Sequence, residues 1–80
     1  MNSLPALDLA PLAGMTKAEI NAAYTYANAE AARWEKALCE VDAFYRAECR
    51  AEIRSQYNAR VRAWVNRAAD CVVAYRALAA

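Results

Sequence analysis

After Gly14 the chain contains no glycine, and after Pro11 no proline. Residues 15–80 therefore lack the two residue types that most readily interrupt a helix. The same stretch is rich in Ala, Glu and Arg, which favour one. This combination predicts an all-α fold. The first helix has a marked start. Thr16 and Glu19 fit the capping box T-x-x-E, and Met15 and Ile20 occupy the two positions of a hydrophobic staple. The helix is expected to begin at Lys17.

Two apolar seams follow. Ile20, Tyr24, Ala27, Ala31, Trp34, Leu38, Val41 and Tyr45 are separated by alternating steps of four and three. Tyr57, Val61, Trp64, Ala68, Cys71, Tyr75 and Leu78 repeat the pattern. The seams are out of phase. Between them Cys49 and Ile53 are joined to their neighbours by steps of four only, which rotates the stripe around the helix. One uninterrupted helix over 17–78 would span roughly 90 Å. A turn or sharp kink is therefore expected near 54–59. Ser55 and Asn58 (SQYN, 55–58) compete for local backbone hydrogen bonds and are weak helix formers. A further break at Ala27–Ala32, giving three helices, is the alternative.

The expected architecture is an apolar arm over 1–15 and a helical domain over 16–80. That domain would hold a long helix and a second helix, forming an antiparallel hairpin or bundle. The arm carries Leu4, Leu7, Leu9 and Leu12 and is expected to fold back over one end of the bundle. Docking on a partner is its alternative role. Eighty residues make a thin core. A lone hairpin would leave part of the long seam bare, which predicts an oligomer or a dedicated protein partner. Trp34, Leu38, Val41, Phe44, Tyr45 and Trp64 are the candidate oligomer interface.

Several chemistries find no support. The chain has no histidine, which removes His-based triads, and Cys39, Cys49 and Cys71 lack CxxC spacing. The odd cysteine count fits a reduced, cytoplasmic compartment rather than a disulfide framework. A redox role for the three thiols has no supporting feature. Glu48 and Glu52 lie one turn apart, but catalytic carboxylates need a walled cleft that a thin hairpin rarely forms. Neither cofactor nor metal site is expected, and enzyme activity is not. The N-terminus is apolar without a basic flank, a poor signal peptide, and no run approaches a membrane span.

The strongest polar signal is a ladder, Arg46, Arg50 and Arg54, extended past Asn58 by Arg62. Like charges four apart repel on a helix by a few tenths of a kcal/mol per pair, roughly, so something should offset them. Net charge is +1, yet residues 1–42 hold six acidic side chains against three basic, and residues 43–80 seven arginines against three acidic. Pairing with the acidic first half, with Glu35 or Glu40 opposite, is the favoured reading. An acidic partner surface comes second and a nucleic-acid backbone third. Tyr26 with Arg33 forms a second candidate patch. The functional expectation is a small non-enzymatic interaction protein that binds another macromolecule, such as a host protein, and acts by occlusion. Phage and mobile-element inhibitors of the anti-CRISPR kind are one instance. A nucleic-acid or nucleotide binder and a structural oligomerisation module are the alternatives.

Overall fold

The computed structural model describes residues 4, 5 and 7–79. They form three helices, α1 (Lys17–Cys39), α2 (Val41–Phe44) and α3 (Ala47–Ala79), and no strand occurs among the described residues. α1 opens at the expected capping box. The Glu19 N–H donates to the Thr16 hydroxyl at 3.2 Å, and the Thr16 N–H donates to the Glu19 carboxylate at 3.0 Å. The Thr16 backbone N–H, and after it the Thr16 hydroxyl, hold the Glu19 carboxyl below its ordinary pKa. Just upstream the Met15 N–H closes a turn onto the Leu12 carbonyl, and Gly14 sits in that turn at φ +85. Only glycine adopts that conformation without steric cost.

The break lies elsewhere than expected. α3 runs without interruption through Ser55, Gln56, Tyr57 and Asn58. The chain turns instead at Glu40–Arg46, with α2 forming a single turn within that corner. Packing outweighs the weak helix propensity of SQYN. Tyr57 sets its ring edge-on against Trp34, centroids 5.2 Å apart, and the Gln56 amide donates to Glu52 one turn back. The run of four-residue steps through Cys49, Ile53, Tyr57 and Val61 therefore lies inside one helix. The phase change falls just before it, where the backbone reverses.

The corner needs neither glycine nor proline. The Glu40 N–H bonds to both Lys36 and Ala37 carbonyls, which tightens the last turn of α1. Tyr45 is extended at φ −122, ψ 150 and separates α2 from α3. Val41 is completely buried beneath the corner and fixes it to the core.

Contacts between α1 and α3 run in opposite order. Ile20 and Tyr24 border Cys71 and Tyr75, Tyr26 meets Trp64, Trp34 meets Tyr57, and Asp42 just beyond α1 meets Arg54. The buried side chains come from the predicted seams and the residues joining them: Ile20, Ala27, Ala31 and Val41, then Ile53, Trp64, Ala68 and Cys71. At the centre, the small Ala27, Ala31 and Ala68 make room for the Trp64 ring. The arm covers the middle of this assembly, not its end. Leu7 and Trp34 both pack on the central cluster. Arg60 donates to the Pro5 carbonyl, and Arg67 donates to the Ala10 carbonyl at 2.8 Å. The molecule measures 50 × 19 × 14 Å with a radius of gyration of 15.2 Å. A compact domain of this length would have about 11.6 Å.

Candidate interaction surface

The corner gathers the arginine ladder. Arg54 donates to the Asp42 carboxylate. The Arg50 Nε lies 3.9 Å from the same carboxylate and donates to the Tyr45 carbonyl at 3.0 Å. The acidic first half thus supplies the counter-charge, but through Asp42 and not through Glu35 or Glu40. As sequence spacing alone reads it, Asp42 would pair with Arg46, four residues on. Because the helix breaks between them, Asp42 instead faces residues twelve and eight positions away. Among the described residues Arg46 has no ion pair and is exposed. The Tyr45 and Tyr57 hydroxyls share a hydrogen bond of 2.9 Å across the same corner, which raises the Tyr57 pKa.

Val41 and Trp64, expected at an interface between chains, belong to the chain's own core. Trp64 carries the one buried polar side-chain atom without a partner among the described residues, its indole Nε1. Trp34 and Leu38 are half-buried, whereas Tyr45 is exposed and Phe44 is 74% exposed on the corner. Tyr26 and Arg33 lie on one flank of α1, about two turns apart, and each meets a different partner. Tyr26 sets its ring edge-on to Trp64, centroids 5.4 Å apart. Arg33 pairs with Glu30 at 3.2 Å and lies over Trp34, which Arg60 approaches as well.

Two helices in contact enclose two grooves, one on each side of the line where they touch. Successive residues advance about 100° around an α-helix, which assigns each position to a flank. Arg60 and Arg67, which hold the arm, lie on one flank of α3. Val61, Val65 and Val72 lie on the other. On α1, Tyr26, Glu30 and Arg33 share the arm's side, and Lys17, Asn21, Tyr24 and Glu35 the opposite one. The arm fills the first groove and leaves the second open. At the end of the molecule near Lys17 the open groove deepens to a cavity of about 190 Å³. Ile20, Cys71 and Val72 form its floor, Tyr24 and Tyr75 its walls, and Asn21 and Arg76 its rim. The Lys17 ammonium lies 6.0 Å from the Tyr75 ring centroid.

Sequence reasoning placed Tyr24 and Tyr75 on seams but did not single out this groove. The available signal was Val65 and Val72, seven apart beside the second seam on the side of its member Val61, which widens the apolar face of α3. Of the three cysteines, Cys39 is exposed, Cys49 half-buried and Cys71 buried in the groove floor. No helix is long and apolar enough to cross a membrane among the described residues. No family model, no curated protein and no solved structure matches this chain.

Proposed function

We propose that this protein is a non-enzymatic interaction module that works by covering a surface of another macromolecule, in the manner of the small inhibitors that phages and mobile elements encode. The observation that carries this reading is the thinness of the fold. A single layer of side chains between α1 and α3 forms the core, and three of its eight buried hydrophobics are alanines. Large apolar side chains remain outside, among them Phe44, Val65, Val73 and Leu78. An elongated helical layer of this kind offers long faces to a partner and gains burial when one docks. The antiparallel hairpin is then the rigid unit presented, with Phe44 and Arg46 projecting at its corner. The engagement of Arg50 and Arg54 at Asp42 speaks for a protein partner over a nucleic-acid backbone.

The test is retention of a partner by tagged protein from a lysate of its source cell, followed by reconstitution with that partner purified. A stoichiometric complex is expected, together with loss of the partner's own activity as the complex forms. Phe44→Ser should weaken it. A partner recovered equally by wild type and by a scrambled-sequence control would sink the reading.

A further inference from the structure

The two grooves of the molecule share a chemistry, and only one is filled. In the filled groove, Leu7 enters against the core while Arg60 and Arg67 hold backbone carbonyls of the arm from the rim. Apolar side chains below and guanidinium donors above are thus a mode of docking that this chain already uses for a peptide. The open groove repeats the parts. Its floor is Ile20, Cys71 and Val72, and its rim carries Arg76 with Lys17 beside Tyr75. None of the residues lining the deep end is acidic. Two carboxylates adjoin the lining in sequence: Glu19 is bound in the capping box, and Asp70 lies about 160° around α3 from the core-facing Ala68, on the helix's far side. Farther along, the open flank offers Glu35 as its acidic side chain, while Arg54 is held at Asp42.

We infer that the open groove binds an acidic, leucine-bearing peptide segment of a partner protein, with Lys17 and Arg76 gripping its carboxylates. Charge complementarity selects this occupant. A second copy packed groove to groove would bring the same cationic rim, with Glu35 as that flank's acidic side chain to meet it. The peptide's leucines take the place on Ile20, Cys71 and Val72 that Leu7 takes on the other side. Val61 and Val65 continue the apolar track toward the corner. From Val61 to Tyr75 the track is about 21 Å long, the rise of fourteen helical residues. This inference deepens the interaction reading and rests on it.

The probe is a fluorescently labelled synthetic peptide with leucines three apart, as Leu4 and Leu7 are spaced in the arm, and glutamates between and around them. Its counterpart carries lysines at the glutamate positions. Fluorescence anisotropy with the full chain should show binding of the glutamate peptide that weakens with added salt, and none of the lysine peptide. The double variant K17E/R76E should bind the glutamate peptide about tenfold more weakly and acquire binding of the lysine peptide. Both positions are exposed, and circular dichroism checks that the variant is folded. Arg67→Gln, on the arm's side, should leave the affinity unchanged. Absence of binding, equal binding of both peptides, or indifference to K17E/R76E would each overturn the inference. So would disulfide cross-linking between copies through a Val65→Cys variant at high yield, which would make the groove a face between copies. The interaction reading stands or falls separately, on the Phe44-dependent complex.

Discussion

At the scale of single residues, three side chains carry measurable consequences. Thr16 accepts the Glu19 N–H, and Thr16→Ala should cost about 1 kcal/mol of stability, read as a lower Tm. The reciprocal bond depends on pH. The folded-state pKa of Glu19 lies below its unfolded value near 4.5. Its contribution is therefore complete above that pH and is lost as the pH falls through the lower, folded-state value. Acid titration should show Glu19→Gln approaching wild type at low pH and trailing it at neutral pH. Trp64 has an opposite character. Its indole N–H is buried with no partner among the described residues, so Trp64→Phe removes an unsatisfied donor along with some packing. The loss should be about 1.5 kcal/mol or less, well under the 3–5 kcal/mol or so typical of Trp→Ala in a core, as chemical denaturation would show.

At the scale of elements, the corner and the continuity of α3 are the features to test. Asp42→Asn should destabilise the protein by no more than about 1 kcal/mol, because the carboxylate and both arginines are partly in water. Val41→Ala should cost more, about 2 kcal/mol, because Val41 is fully buried. Double mutants then separate the ionic hold on the corner from its apolar pivot. Ser55→Pro should cost about 3 kcal/mol or more, since proline inside α3 removes a backbone hydrogen bond and clashes with the preceding turn. A turn at SQYN would tolerate it, and amide exchange across 54–59 distinguishes the two cases.

These elements also show what the sequence carried. The capping box and the seams are local or periodic signals, and they located the start of α1 and most of the buried side chains, Ile20 through Cys71. The corner is not local. Asp42 with Arg54 and Tyr45 with Tyr57 meet only after the chain has reversed, so no spacing rule on a continuous helix identifies them. The reversal contains no glycine or proline, whereas the weak helix formers of SQYN are held helical by Trp34. Phe44, a candidate interface residue by sequence, does stand exposed on the corner. The open groove was not legible, because it is defined by where the arm lies.

At the scale of the whole molecule, the radius of gyration of 15.2 Å gives a direct check by small-angle scattering. A free single chain should return that value within error. Two such layers stacked about 10 Å apart would return about 16 Å at doubled mass, so forward scattering rather than size discriminates them. Deleting residues 1–10 should lower stability, because Leu7 packs against the central cluster and the arm occupies donors of Arg60 and Arg67.

The order of events in folding follows from the corner. Its clasps, Tyr45 with Tyr57 and Asp42 with Arg54, close loops of only twelve residues. The bonds that hold the arm span 55 and 57 positions. The entropic cost of closure grows with the logarithm of length, and the difference amounts to about 1.4 kcal/mol. Helix pairing should thus zip outward from the corner toward Lys17, quickly, as expected for predominantly local contacts. By the same measure the arm should settle last and be the first part to lift. During each such opening both sides of the helical pair are bare at once. A competitor for the arm's own cradle would have its chance on that timescale, without waiting for the chain to unfold.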